Sequence, residues 1–440
     1  MKKIISVTYK APILLGLMLL FFTQQPLKAQ SADMVTLQQA IQQTVNNHPL
    51  IKEAENKVNI AQSQTEQQKT SLLPTVAANL SYTQVGPIPK IDFNGLSFAL
   101  GTHYNIDENV AVDYILYDFN RRKDVIKVLQ SAEATEAEKI NVIKNNLAFE
   151  TAKVYFSLIY LQKSTAVIDQ EIKDMEEHLS VAQKRVMTGS ATGLDTLNTS
   201  VKLTVLQNQK MSVENQWNKT AVLLKSLMGL SIQKQIKVDG SLEHNIQNYQ
   251  IDTLINRAYN QREELRINHL VLNTEMLQKS IAEKTDMPVV ALHGSTGIKN
   301  GYPLNMNKPK FNYIVGIAAK IPIFDGHMRQ LKVNTANLNI QSVEDHSMVL
   351  KRNISTDVQT ALLDYQNNKI QLKSAQQEIV KAQAAFKQAN GLYNTGAITN
   401  TTLLDTETAL AQARLKYTYQ LFQLTLSHYK LLQATGQKIW

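Results

Sequence analysis

The stretch Phe119–Thr188, FNRRKDVIKVLQSAEATEAEKINVIKNNLAFETAKVYFSLIYLQKSTAVIDQEIKDMEEHLSVAQKRVMT, contains neither proline nor glycine. Within it apolar side chains recur at steps of four and three: Leu147, Val154, Leu158, Leu161, Ile168, Ile172, Met175, Leu179, Ala182 and Val186. Thr151 and Thr165 fill the two gaps. This spacing keeps one stripe on a coiled-coil seam and predicts a single long helix packed along its length. At 1.5 Å per residue, about 70 residues make a rod roughly 100 Å long. Adding 207 to each position gives Ile354, Val358, Ala361, Tyr365, Asn368, Leu372, Ala375, Ile379, Ala382, Phe386, Ala389 and Tyr393. The seam occurs twice.

Working outward, the whole neighbourhood of the seam is duplicated. Residues 31–229 form a first repeat, 230–250 a less regular linker between repeats, and 251–440 a second repeat. In the first, Thr36 and Gln39 have the spacing of a capping box, and Pro49 interrupts the helix that follows. From Pro74 the period changes from 3.6 to 2. Val76, Ala78, Leu80 and Tyr82 alternate with smaller or more polar residues, which reads as a strand with one apolar face. Strands are predicted at about 74–86 and 96–118, with Gly86-Pro87-Ile88-Pro89 and Asn94-Gly95 marking the loop between them. Val110, Val112 and Tyr114 share the apolar face of the second strand. Asp118 is the expected N-cap of the long helix 119–188, and a turn at Gly189–Gly193 leads to a return helix 194–228. The second repeat has strands at about 288–299 and 310–324, with Phe311, Tyr313, Val315 and Ile317 on one face. A long helix 326–393, a turn around Gly396 and a return helix 401–434 follow. Pro288 lies 214 residues after Pro74, whereas Phe324-Asp325 lies 207 after Tyr117-Asp118, so the second strand pair is seven residues shorter. The unit helix, two strands, long helix, turn, helix is a duplication.

Composition narrows the function. The first 30 residues combine Lys2, Lys3 and Lys10 with an apolar run from Ile13 to Phe22 and then Ala29, the pattern of a cleaved secretory signal. No other stretch approaches a membrane-spanning helix, so any later membrane crossing would use strands. The formal charge of +9 falls to +5 once Lys2, Lys3, Lys10 and Lys28 leave with the signal. The remaining basic residues are scattered among acids on helical faces, which is not a nucleic-acid-binding pattern. With no cysteine, disulfides, thiolate metal sites and Cys-linked lipid anchors are excluded. The nine histidines lack metal-ligand spacing, and Gly189-Ser190-Ala191-Thr192-Gly193 follows a helix rather than a strand, unlike a phosphate loop. No catalytic residue, metal or cofactor is expected.

A lone chain is not expected to shield both the seams and the apolar strand faces, and four strands cannot close a membrane barrel, which needs about eight or more. Pooling several chains answers both: strands into one barrel, helices into a coaxial tube. A soluble sheet with one buried face, or a periplasmic coiled-coil adaptor, is the alternative that the patterns leave open.

In Thr36-Leu37, Asn47-His48-Pro49-Leu50, Leu72-Leu73-Pro74, Leu116-Tyr117-Asp118, Ile323-Phe324-Asp325 and the turns Arg185–Asp195 and Tyr393–Asp405, the mature chain resembles the TolC-like outer-membrane efflux protein family. The resemblance implies a mainly α fold with a β-barrel portion. It implies a homotrimer with a twelve-stranded barrel in the outer membrane of a Gram-negative bacterium, continuous with a twelve-helix periplasmic tunnel. Such a duct would receive substrate from a periplasmic membrane-fusion (adaptor) protein and an inner-membrane RND or ABC transporter. Val110, Val112, Tyr114, Phe311, Tyr313, Val315 and Ile317 would face lipid. Arg185, Gly189, Gly193, Gly396 and Leu404 would lie at tips that contact the adaptor. Asp195, Tyr393, Asp405 and Thr402 would form the entrance gate, with an Asp195–Tyr393 hydrogen bond holding it shut. Thr402 and Ile398 replace an acid and an arginine found in some relatives, which weakens any acidic ring at the entrance.

Overall fold

The structure, a computed structural model, describes residues 33–242, 246–303 and 305–440; the predicted signal segment lies outside them. In chain order the elements are β1 (Asp33–Val35), α1 (Leu37–Asn47), α2 (Pro49–Thr70), β2 (Thr75–Gln84), β3 (Lys90–Phe93), β4 (Leu96–Ala99), β5 (Tyr104–Tyr117), α3 (Arg121–Met187) and α4 (Gly193–Met228). The second half continues with β6 (Ile236–Val238), α5 (Ile251–Gln261), α6 (Glu263–Glu283), β7 (Val289–Lys299), β8 (Lys310–Lys320), α7 (Met328–Asn394) and α8 (Asn400–Ala434). Both repeats follow the predicted order. The Thr36–Gln39 capping box forms, and His48 ends α1 with Pro49 opening α2, so proline starts a new helix where its missing N–H costs nothing.

The long helices are equal in length, 67 residues each. Their starts correct the expected N-cap: Asp118 sits three residues before α3 rather than at its cap position. Phe119 and Asn120 turn through the left-handed region (φ 57° and 63°), and the Asp118 carboxylate accepts from the Arg122 backbone N–H and side chain. Gly326 and His327 repeat this turn (φ 66° at both), with Asp325 accepting from the Arg329 backbone N–H at 2.9 Å. Satisfying a first-turn N–H this way does the work of a cap from outside the helix.

The seams are closed within one chain: Leu158, Val358 and Ala375 are fully buried, and every seam position is buried or half-buried. α4 runs along α3, α8 along α7, and α8 also packs directly on α3, while α1 and α5 cover the middle of α3 and α7. Each such leucine or valine contributes about 1.5–3 kcal/mol by leaving water. A belt at mid-height joins the repeats. β1 and β6 pair in parallel, so the linker contains a strand, and the Tyr155 hydroxyl reaches the Val35 carbonyl at 2.9 Å and the Asp239 carbonyl beside it.

The strands form one antiparallel sheet in the order β2-β5-β7-β8, in which β5 and β7 join the two repeats. Its registry puts the expected apolar residues on one face in rows: Val76–Val112–Gly294–Val315, then Ala78–Val110–Thr296–Tyr313. Tyr114, Leu292 and Ile317 extend this face, as do Leu80, Ile298 and Phe311, in a row that also carries Glu108. The opposite face carries polar pairs: Asn79 with Asn109 at 3.0 Å, Lys299 with Asp107 at 3.3 Å and His293 with Asp113 at 2.7 Å. At Gly297 a side chain is excluded, because a methyl group would overlap the Glu108 carbonyl oxygen and lie 2.6 Å from the Asn109 Cα. The predicted strand at 96–118 is two pieces. Leu96–Ala99 pairs back on Lys90–Phe93 as a separate hairpin, turned by Asn94 and Gly95 with φ of 51° and 80°, the geometry Asn-Gly favours. No helix among the described residues is long and apolar enough to cross a membrane.

Candidate functional site

The two helix tips have the same backbone. At each, a threonine C-cap (Thr188, Thr395) is followed by a left-handed glycine (Gly189 φ 74°, Gly396 φ 77°). Ser190 N–H then donates to the Arg185 carbonyl and Ala397 N–H to the Leu392 carbonyl. This is the Schellman ending, which glycine adopts without strain. Thr192 and Thr399 cap the return helices. Asp195 and Thr402 are equivalent residues at the third position of those helices: Asp195 Oδ2 accepts from the Thr192 backbone N–H at 2.8 Å, and Thr402 N–H donates to Thr399 Oγ1 at 3.3 Å. The acid-to-threonine departure is thus a change of cap chemistry.

The tips differ in what fills them. Ala389, Tyr393 and Leu403 make a small apolar cluster in the second, flanked by Phe386 and Ile398. Leu404 is 2% exposed, so it holds the bundle together and does not present a surface to a partner, which corrects its expected role. Gly189, Gly193, Gly396, Thr402 and Asp405 are exposed. The Asp195 carboxylate is engaged in its own cap, and an Asp195–Tyr393 side-chain bond is not among the contacts of the described residues. Arg185 joins the tips instead. Its guanidinium lies 4.3 Å from the Tyr393 ring centroid and donates to the Tyr393 carbonyl at 3.0 Å. A cation over an aromatic face contributes about 0.5–1 kcal/mol where partly exposed.

Behind the tips a polar ladder crosses the α3–α8 contact. Glu171, His178 and Arg185 recur every seventh residue on α3, and Asn400, Glu407 and Arg414 do so on α8. The helices run antiparallel, so Glu171 meets Arg414 (2.6 Å) and His178 meets Glu407 (3.9 Å). Beyond them His178 Nε2 contacts Asn400 Oδ1 at 2.7 Å, and Asn400 Nδ2 donates to the Asp195 carbonyl at 3.1 Å. The His178 ring also stacks on Tyr393, 5.5 Å between centroids. Burial raises the Glu171 carboxyl, opposed by Arg414. Burial, then the charges of Glu171 and Asp174, push Glu407 up to about 7. A cavity of about 320 Å³ opens beside this pair, lined by Ile168 and Met175, by Lys202 and Leu206 from α4, and by Ala411. Sequence reasoning did not single out the ladder. Its signal was present: polar residues at heptad spacing beside an apolar seam.

The family model for outer membrane efflux proteins matches residues 40–230 and 254–437, one segment for each repeat. The pyoverdine export outer membrane protein OpmQ of Pseudomonas putida is 24% identical over 71% of this chain, which spans 66% of that protein. Outer membrane protein TolC of Escherichia coli K12 is 19% identical over 94% of this chain and 85% of its own length. Among solved structures, the Campylobacter jejuni CmeC outer membrane channel superposes with a TM-score of 0.73 at 15% identity, covering 91% of this chain and 85% of that one. CusC superposes at 0.76 with 17% identity, covering 91% and 92%. With both repeats matched and the whole fold shared, the chain is an outer-membrane protein and belongs to the outer membrane efflux protein family.

Proposed function

We propose that three copies of this chain form the exit duct of a tripartite export system, with a twelve-stranded barrel set on a twelve-helix tunnel. The observation that carries the reading is the four-stranded sheet. It has a largely apolar face, interrupted by Thr296 and by Glu108 in the row Leu80–Glu108–Ile298–Phe311, and two open edges, β2 and β8, both exposed along nearly their whole length. Open edges demand partners, and joining β8 of one copy to β2 of the next closes a ring without leaving an edge. In this reading Val110, Val112, Tyr114, Phe311, Tyr313, Val315 and Ile317 meet lipid and the opposite face meets a wet lumen. The exposed tips at Gly189, Gly193 and Gly396 meet a periplasmic adaptor, and an inner-membrane RND or ABC transporter supplies the energy. The duct itself performs no chemistry. Asp405 and Thr402 face the entrance, where three Asp405 copies would attract cations weakly, and Arg185 with Tyr393 holds the tips together. The relative named for pyoverdine export makes small exported molecules a reasonable first cargo to assay.

The test uses the absence of native cysteine. Single cysteines placed along β2 and β8 should crosslink under oxidation into a ladder ending at a trimer in detergent-extracted outer membranes. A chain released by osmotic shock, or one that crosslinks only as a monomer, would overturn the proposal. Tip closure is tested separately: Tyr393→Ala and Arg185→Ala should raise single-channel conductance in planar bilayers, and unchanged conductance in both would remove them from the gate.

A further inference from the structure

The middle rung of the α3–α8 ladder sets His178 against Glu407 with no fixed donor between them among the described residues. The hydrogen-bond network fixes the His178 tautomer. Asn400 Nδ2 is 3.1 Å from the Asp195 carbonyl and 3.3 Å from Thr199 Oγ1, and a carbonyl can only accept, so the amide nitrogen must point there. Asn400 Oδ1 therefore faces His178, and His178 Nε2, 2.7 Å away, must donate to it. In a neutral imidazole this leaves Nδ1 as an acceptor. It faces Glu407 Oε2 at 3.9 Å, a fully buried carboxylate oxygen with no hydrogen-bond partner among the described residues. When His178 is neutral and Glu407 ionised, two acceptors oppose each other, and no donor among the described residues lies between them.

We propose that His178 and Glu407 together form a binding site for one proton, and that this proton latches the start of α8 to α3 and so sets how firmly the two tips are closed. With the proton bound, whichever group carries it donates to the other, as a carboxyl O–H to Nδ1 or as an imidazolium N–H to the carboxylate, and that bond draws the helices together. Without it, the Glu407 carboxylate faces the Nδ1 lone pair. Glu171 is paired to Arg414, Asp174 adds negative charge, Lys202 of α4 lines the cavity, and Arg185 is engaged with Tyr393. Burial and the two neighbouring acids hold the Glu407 carboxyl near 7, where the proton exchanges at ordinary pH. Because His178 bonds Asn400 and stacks on Tyr393, loss of the proton slackens both tips at once. His178 is in this sense a positioning residue. The pair occurs in one repeat only: 207 residues away, Ala385 and Ser200 stand in the equivalent places.

The inference deepens the reading of the tips as a tunnel entrance and rests on it. Two measurements separate them. Hydrogen exchange on the reconstituted full-length protein, corrected for the intrinsic rate, should show tip amides opening about tenfold more per pH unit above neutrality. Glu407→Gln, whose amide can donate permanently to Nδ1, should stay protected with no pH slope. His178→Phe, which keeps a ring against Tyr393, should exchange fast at every pH. A flat wild-type profile, or a wild-type slope surviving in Glu407→Gln, would overturn the latch. Conductance in planar bilayers, run in parallel, should rise with pH in the wild type and stay low in Glu407→Gln. Pores with an unaltered slope in that variant refute the latch alone, whereas no pores in any variant refute the duct and leave hydrogen exchange to decide the latch.

Discussion

The helical body and the sheet are built from the same repeats, yet one is finished inside a single chain and the other is not. Along α3 and α7 the seam leucines and valines are sealed by helices of the same polypeptide. In the sheet, Leu80 is 79% exposed and Phe311 74%, and among the described residues neither edge strand has an outer neighbour. A helix satisfies its backbone internally, so it needs a partner only for one stripe of side chains. A strand needs partners for its backbone as well. The two halves should therefore answer differently to mutation, one through chain stability and the other through assembly and membrane.

The largest effect is expected at Gly297→Val, which forces β7 away from β5 where the repeats join. It should cost more than about 4 kcal/mol and abolish the detergent-resistant oligomer, while circular dichroism keeps most of the helix signal. Leu158→Ala, in the seam, should lower stability by about 3–4 kcal/mol. Because that site is closed within one chain, the loss should appear in the denaturation midpoint without added dependence on protein concentration, unlike the sheet variant. Arg414→Ala leaves Glu171 buried without its cation and should cost about 3 kcal/mol at pH 8. The cost should shrink as acid neutralises Glu171, since its carboxyl is already held above the usual range. Glu407→Gln runs the other way. A carboxyl raised to about 7 in the folded chain loses stability as pH rises from its ordinary value through 7. The glutamine should therefore match wild type below about pH 4 and gain up to roughly 3 kcal/mol at pH 8, because each pH unit crossed in that window is worth about 1.4 kcal/mol. Thermal melts at pH 4 and pH 8 check the sign.

What could be read in the sequence follows from the range of each cause. Heptad and two-residue periods are local, so the long helices, their tips at Gly189 and Gly396 and the apolar face through Val112 and Val315 were legible. The duplication at offset 207 made each copy a check on the other. The β3–β4 hairpin was also written locally, in Asn94-Gly95 between alternating apolar residues, but reads equally as a loop when four-residue strands carry so little pattern. The β1–β6 pair, three residues each, is set wholly by tertiary contact. The ladder lay between these cases. Glu171, His178 and Glu407 have visible spacing, but their pairing depends on the antiparallel stagger of α3 and α8. Leu404 was misplaced for a related reason: near its start α8 packs on both α7 and α3, so two adjacent leucines, Leu403 and Leu404, are both turned inward.

The belt where β1 meets β6 has a practical corollary for anyone labelling the molecule. Residue 33 is fastened there, and Ile439 and Trp440 pack on the same apolar cluster. A fluorophore or affinity tag attached at either place hangs from the waist of the helical body, remote in sequence from the Gly189 and Gly396 turns and from the strand loops. Distances measured from such a label to each end would report motions of tips and strands independently, against a common origin that neither of them moves.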